Sequence, residues 1–451
     1  MQLVNKKIHF VGIKGIGLST VAQFCFRAGA KVTGSDNQEN FPADSVLNRL
    51  KIPCHSFSSK NITSQLDLVV YSSAYNQNHP EIKKAVRLKI PLKSYGEILA
   101  EIFNQGKHKI VVAGSHGKTT TTALLGHLLD KVGCQPTVFV GGLSNNWQNN
   151  FKKGKNEWLV AEGDEYQKKF LFLKPDYLLI TNIDFDHPDC FKDKKEYRQA
   201  FEALKKQTKK KIFSGQKISP VFKKFLETMD FPLLGEKNKE NAYLVYRLAK
   251  ELKIPDKKIK TAFETFKGVK RRMEFYLNHK LSVPSSIIVD DYAHHPEEIK
   301  ATLSALKEKY PDYKLLAIFQ PHTFSRTKSL MADFGKCFQK ADFVYLLPTF
   351  ASARESGSRN STLLRNKSLT NGQGGRVFTT REQKPKENMD KLLLKEVKKH
   401  HPKAKFLPSF KNFKLMTSDV INLKLIILTL GAGDVYKLAK GLAQKTPGNL
   451  S

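Results

Sequence analysis

Short apolar runs recur along this chain, and most end in glycines, acids or histidines. Ile8–Val11, Leu66–Tyr71, Val111–Ala113, Trp158–Ala161 and Tyr177–Ile180 are such runs, with another around Pro91-Leu92. Ser286–Val289, Leu315–Phe319, Phe343–Leu347 and Leu425–Leu430 continue the pattern. Each is bounded by turn-forming or polar residues and reads as a buried strand. Between them the spacing changes to a helical one. Leu124, Leu125, Leu128, Leu129 and Val132 share one face after Gly117, and helices are expected near Pro296–Tyr310, Ser325–Lys340 and Glu387–His400. Strands alternating with helices predict open parallel sheets, so the fold class is α/β. The polar, Gly- and Asn-rich stretch from Asn360 to Gly375 reads as a surface loop.

The ends of these runs carry the candidate chemistry. Val111–Ala113 leads into Gly114-Ser115-His116-Gly117-Lys118-Thr119-Thr120-Thr121-Thr122. A strand, a glycine-bearing loop and a helix start with Lys-Thr at the junction can grip a nucleotide triphosphate. Glycines let main-chain N–H groups face phosphate oxygens, the helix N-terminus adds its positive end, Lys118 adds a point charge, and a Thr hydroxyl suits Mg²⁺. The usual pattern has a glycine five residues before Gly117, where Val112 stands, so this is a shorter Gly-x-x-Gly-Lys-Thr loop. A mere helix start would gain nothing from a lysine and a run of threonines, since Thr is a mediocre helix former. Two more strands end in acids, one at Glu162-Gly163-Asp164-Glu165 and one at Asp184-Phe185-Asp186-His187. In a parallel sheet Glu162 and His187 share an edge with the phosphate loop, where they could hold Mg²⁺ directly or through water.

The first segment opens with Ile8-His9-Phe10-Val11 and the glycines Gly12, Gly15 and Gly17, then a helix through about Gly29. A second strand ends in Gly34-Ser35-Asp36. This is a Rossmann-like unit, with a helix N-terminus for phosphate and an acid for a ribose, although the G-x-x-G-x-G spacing fits a diphosphate ligand better than it indicates a nicotinamide. Asp36 reads equally as a ribose ligand and as a solvated strand end. Ser72 and Ser73 also fall at a strand's carboxyl end, where α/β ligands bind. In the last segment, strand ends carry Asp290-Asp291-Tyr292-Ala293-His294-His295-Pro296, Gln320-Pro321-His322 and Arg326, a clustering that suggests a site rather than a core.

Bulk properties narrow the class. A chain of 451 residues has room for several domains, and no run approaches a membrane span. The start lacks an apolar signal segment, so a cytoplasmic location is expected. The five cysteines are scattered, which argues against a disulfide framework or a zinc ribbon. The net charge of +34 raises nucleic acid as a partner. However, lysine far exceeds arginine, the charges are spread, and no basic stretch is interleaved with aromatics as a base-stacking platform would be. A generally lysine-rich surface is the better reading, and no nucleic-acid partner is expected.

Taken in order, these motifs resemble the Mur ligase family, which adds amino acids to a peptidoglycan precursor, over nearly the whole length. The set comprises the Gly12 loop, Gly34-Ser35-Asp36, Gly114–Thr121, Ala161–Glu165 and Thr181–His187. It continues with Asn238-Lys239-Glu240-Asn241-Ala242, Gly268-Val269-Lys270-Arg271-Arg272, Asp290–Pro296 and Gln320-Pro321-His322. The last two point to the alanine-adding branch. The resemblance implies a Rossmann-like UDP-sugar domain (1–105), a central P-loop ATPase-type domain (106–272) and a Rossmann-like C-terminal domain (273–451). It implies UDP-N-acetylmuramate and L-alanine as substrates, ATP and Mg²⁺ as cofactors, an acyl-phosphate intermediate, and a monomer or homodimer. Lys118, Glu162, His187 and Arg326 would be catalytic, and Thr119, Glu162 and His187 would hold Mg²⁺. Gly114, Ser115, His116, Gly117, Lys118, Thr119, Thr120, Asn238, Asn241, Arg272 and Asp291 would face the nucleotide. Gly12, Gly15, Gly17, Ser35, Asp36, Ser72, Tyr292, His294 and His322 would face the other substrates.

The chain departs from the family pattern at Lys14 (usually Gly), Ser115 (usually Thr) and Lys237 (often His). Asp189 to Gly235 also looks shorter than in relatives, which predicts a smaller stability margin rather than lost activity. A sibling ligase with another amino acid or peptide substrate, a folate-type polyglutamate ligase, and a basic nucleic-acid-binding protein with a decayed ATPase are the competing readings.

Overall fold

The computed structural model describes residues 2–188, 190–215, 217–276, 286–350, 384–410, 413 and 423–444. The expected loop from Asn360 to Gly375 lies outside the described residues. The described residues form three sheets.

The first sheet holds β1 (Lys7–Val11), β2 (Lys31–Asp36), β3 (Cys54–Ser56), β4 (Leu68–Tyr71) and β5 (Leu92–Ser94) in the order β3-β2-β1-β4-β5. All its pairings are parallel. Parallel neighbours need crossovers, and α1 (Ile16–Arg27), α2 (Asp44–Arg49), α3 (Pro80–Arg87) and α4 (Tyr95–Phe103) punctuate them. Strand order reverses between β1 and β4, whose ends Val11 and Tyr71 are in register. Gly12 and Ser72 therefore leave the sheet side by side at the crevice where such folds bind ligands.

The second sheet holds β6 (His108–Ala113), β7 (Thr137–Ser144), β8 (Asn149–Lys152), β9 (Trp158–Glu162), β10 (Tyr177–Ile180) and β11 (Lys211–Ser214). Its order is β11-β10-β6-β9-β7-β8, antiparallel only at β7/β8. Its helices are α5 (Lys118–Lys131), α6 (Lys194–Gln207), α7 (Pro220–Glu227), α8 (Glu236–Glu251) and α9 (Asp256–Glu264). α5 is buried from Thr119 to Leu129, so the apolar stripe seen in sequence is only part of a helix packed on all sides. Register places Ala113 opposite Ile180, and Val112 opposite Glu162. The loop after β6 and the acids after β9 and β10 thus share one edge.

The third sheet holds β12 (Glu274–Tyr276), β13 (Ser286–Asp291), β14 (Lys314–Phe319), β15 (Phe343–Leu346), β16 (Lys405–Phe406) and β17 (Leu425–Leu430) in the order β12-β13-β17-β14-β15-β16. Only β12/β13 is antiparallel. Around it lie α10 (Pro296–Lys309), α11 (Phe324–Ser329), α12 (Met331–Lys336) and the helices Lys384–Lys398 and Tyr436–Gln444. Asp291, Leu430 and Phe319 are in register, so three loops leave together. The single helix expected over Ser325–Lys340 is two short ones that break at Leu330. The Thr327 and Ser329 hydroxyls donate back to the Thr323 and Arg326 carbonyls there and compete with the helical ladder. β13 also runs two residues beyond Val289, so Asp290 and Asp291 belong to the strand itself.

The chain divides into two compact units: residues 1–233 with 237–270, and residues 234–236 with 271–451. In the first unit, the first two sheets are locked by a buried amide network. Gln23 on α1 exchanges hydrogen bonds with Asn149 and Asn150 of β8, at 2.9 Å each. Phe24 packs on Phe139 and Phe151, extending one core across the junction. Among the described residues, no helix is long and apolar enough to cross a membrane.

Candidate active site

In the first sheet, Gly12 takes φ 82°, and a Cβ there would lie 2.6 Å from the Tyr75 ring and 3.0 Å from Ser72 Cβ. Only glycine suits both the conformation and the space. Gly15 precedes α1, and Gly17 lies in its first turn beneath Tyr95. Ser35 works from behind this loop. Its carbonyl accepts the Gly12 and Ile13 N–H groups, while its buried hydroxyl donates to Glu81 at 2.5 Å. Asp36 is no solvated strand end: it is 4% exposed and accepts N–H groups of Lys14 and Asn37. Burial outweighs those hydrogen bonds and raises its pKa. The unusual Lys14 turns its ammonium to Asp44, 3.4 Å away, and to the Glu39 carbonyl.

On the second sheet's edge, Gly117 has φ 84°, and a Cβ there would meet Asn241 Oδ1 at 2.5 Å. Asn241 on α8 thus abuts the phosphate loop, with Asn238 about one turn earlier on the same helix. Thr181 and Asn182 clamp the loop from β10 by donating to the His116 carbonyl, and Asn182 accepts the N–H groups of Ser115 and His116. Those two N–H groups are engaged within the protein, which narrows the anion-facing donors to Gly117 and the first turn of α5, where a helix leaves N–H groups without internal partners. The Ser115 hydroxyl is likewise committed, to the Asp184 main chain and the Tyr197 hydroxyl.

Lys118 donates to the Gly114 carbonyl, and to the Ser115 carbonyl and Glu165 at 2.9–3.1 Å. Burial opposes its charge, but Glu165 and then Glu162 outweigh burial and raise its pKa, so it stays an ammonium. Thr119 donates to Glu162 Oε1 at 2.9 Å, and Gly141 N–H binds Glu162 Oε2 at 2.7 Å. His187 sits against Glu165 at 3.5 Å and Asp186 at 3.7 Å, with φ 58°. The Thr119–Glu162 pair is an oxygen donor set suited to a hard cation that also takes phosphate ligands, so these residues fit Mg²⁺. Among the described residues, no three His, Cys, Asp or Glu side chains form a metal cage on their own. Sequence reasoning stopped at Glu162 and did not single out Glu165, although its place three residues beyond Glu162, on the same edge, was a usable signal.

The second unit gathers its six predicted side chains into one cluster. Arg272 lies 4.8 Å from the Tyr292 ring centroid and 3.6 Å from Glu298. The His294 ring meets those of Tyr292 and His322 edge-on, and His322 Nδ1 lies 3.3 Å from Arg326. His322 also stacks on Phe350. Arg326 is buried. Asp291 is 5% exposed and accepts N–H groups of Ala293 and Met273 at 2.7 Å each. Burial pushes its pKa up to about 6, against the opposing charge of Arg272. Gln320, part of the strand-end motif but given no individual role from the sequence, ties the ends of β14 and β17 together through Asp434 and the Val435 N–H.

Three open α/β sheets, with a glycine loop on the first and a Gly-Lys-Thr loop on the second, make this an α/β protein with two phosphate-type loops. Three family models match in succession: "Mur ligase family, catalytic domain" over residues 7–107, "Mur ligase middle domain" over 112–226 and "Mur ligase, glutamate ligase domain" over 271–401. The chain belongs to the Mur ligase family, whose members are ATP-dependent ligases. It is 34% identical to a UDP-N-acetylmuramate–L-alanine ligase of Desulfitobacterium hafniense, covering 96% of this chain and 99% of that one. It is 38% identical to the enzyme of the same name from Levilactobacillus brevis, covering 85% and 91%. Among solved structures, the UDP-N-acetylmuramate–alanine ligase of Thermotoga maritima is similar, with a TM-score of 0.76, 26% identity and coverage of 97% and 98%.

Proposed function

We propose that this chain joins L-alanine to the carboxylate of UDP-N-acetylmuramate at the expense of ATP, for peptidoglycan precursor synthesis. The observation that carries this reading is the end-to-end match to the Desulfitobacterium hafniense ligase of that name. In the proposed reaction, a carboxylate oxygen of the sugar acid attacks the γ-phosphorus of ATP, and ADP leaves. The alanine amine then attacks the acyl-phosphate carbonyl, phosphate departs with the bridging oxygen, and the nitrogen loses a proton as the amide forms.

Carboxylate and triphosphate repel each other, so the site must neutralise charge as it moves. Lys118, kept protonated by Glu165, steadies the γ-phosphoryl group. Thr119 and Glu162 would hold Mg²⁺, which supplies positive charge at the phosphate oxygens, with His187 contributing from the neighbouring strand end. Asn238 and Asn241 flank the nucleotide loop. In the second unit, Arg272 and Asp291 serve the nucleotide, while Tyr292, His294, His322 and Arg326 receive the amino acid or the acyl phosphate.

Phosphate release with ATP and UDP-N-acetylmuramate, paired in turn with alanine, serine and glycine, tests the assignment. Alanine is expected to give the highest kcat/KM. Release that depends on the sugar acid but is fastest with another amino acid, or with a peptide, would assign the chain to a sibling activity. The cytoplasm is the proposed location, since the nucleotide substrates are made there.

A further inference from the structure

We propose that Lys169 is a substrate-binding residue that receives the carboxylate of the nucleotide-sugar acid between the two loops of the first unit; this rests on the ligase reading above. The local backbone aims it there. Gln167 and Lys168 both adopt left-handed conformations, φ 54° and 57°, inside the turn Tyr166–Phe172. That conformation is unfavourable for a non-glycine residue, and such strain persists where the surroundings over-determine it. The result separates two adjacent lysines. Lys168 turns outward to Glu196, with its side chain 44% exposed, while Lys169 turns inward and is 10% exposed.

Inside, Lys169 touches both halves of the unit. Its ammonium lies 2.5 Å from Asp164 Oδ2, on the acidic loop that follows β9, and 3.2 Å from the Ser73 hydroxyl, just past β4 of the first sheet. The rings of Tyr166 and Tyr95 flank it at 5.3 and 5.9 Å. Tyr95 in turn covers Gly17, where an added Cβ would lie 3.0 Å from Tyr95 Cζ. An ammonium has three N–H donors, and Asp164 and Ser73 take two.

A ligand whose diphosphate rests on the Gly12–Gly17 loop and whose acid end meets Lys118 must pass this point. Along the way its carboxylate faces Glu162, Asp164 and Glu165, so a cation is needed to offset the repulsion. Lys169 supplies it, and Asp164 holds that cation in place. The carboxylate is the better match than the diphosphate, because the Tyr95 ring stands between Lys169 and the glycine loop, whereas Asp164 is the direct chain neighbour of Glu165, the partner of Lys118.

Calorimetric binding to the full chain separates the possibilities. UDP-N-acetylmuramate is compared with UDP-N-acetylglucosamine, the same nucleotide sugar without the lactyl carboxylate, on the unaltered chain, Lys169→Ala and Lys169→Arg. Lys169→Ala is expected to weaken UDP-N-acetylmuramate by about tenfold or more, which is about 1.4 kcal/mol or more. UDP-N-acetylglucosamine affinity should stay the same, and Lys169→Arg should recover most of the loss. An equal loss for both sugars, or no loss for either, would overturn the assignment. If the unaltered chain binds ATP but neither sugar, the ligase reading itself fails, and this assignment with it.

Discussion

The strand ends of the second and third sheets handle charge in opposite ways. On the second, cation and carboxylates are matched atom to atom. Lys118 is held by Glu165, and Glu162 is held by the Thr119 hydroxyl and the Gly141 N–H. On the third, rings and arginines dominate, with Arg272 over Tyr292 and His294 and His322 linked to Arg326. Its acid Asp291 is satisfied by main-chain N–H groups instead. The first arrangement suits a phosphoryl group that moves under the control of fixed charges. The second suits a small zwitterion or an acyl phosphate, which needs planar donors and a shaped apolar wall. An ion pair keeps its groups charged, whereas burial that outweighs a nearby cation allows an acid to titrate near neutrality.

The largest expected effect falls on the matched edge. Lys118→Ala should lower kcat for phosphate release on the order of 10²- to 10³-fold while circular dichroism shows that the fold survives. Near-normal turnover in that variant would dissolve the contrast, because the lysine would then be only a partner for Glu165.

The next effect concerns pH on the other edge. A folded-state pKa near 6 lies about 2 units above the ordinary Asp value, so Asp291 costs stability once ionised. Its contribution is fully favourable below about pH 4 and is lost as pH rises through 6, by at most about 3 kcal/mol. Denaturant unfolding of Asp291→Asn against the unaltered chain should therefore show the variant relatively worst near pH 4 and improving toward pH 7. A difference that does not change with pH would mean that Asp291 titrates normally. A smaller effect is expected for Arg326→Lys, which keeps the charge but loses the planar fork. The KM for the amino acid should rise about tenfold, or about 1.4 kcal/mol, with the KM for ATP unchanged. An equal rise in both would place Arg326 on the nucleotide instead.

Much of this was legible in the sequence because strand ends in parallel sheets collect function. The ends of β6, β9, β13 and β14 are read from short apolar runs, and within each sheet the residues following them leave at the same edge. What sequence could not supply was which atom a motif residue uses. Ser115, Ser35 and Asp36 sit in ligand-type motifs, yet their side chains hold loops in shape. Pairings across long separations, such as Lys118–Glu165 and Lys169–Ser73, leave no periodic signal. The same holds for the break at Leu330, which comes from hydroxyls competing for helix carbonyls within an otherwise helical pattern.

The central claim, that the sugar carboxylate is phosphorylated before the amine attacks, is tested most directly with UDP-N-acetylmuramate carrying ¹⁸O in its carboxylate. Turnover with ATP and alanine should release phosphate containing one ¹⁸O per molecule, because the attacking oxygen leaves with phosphorus. Released phosphate without the label, alongside amide formation, would contradict the account.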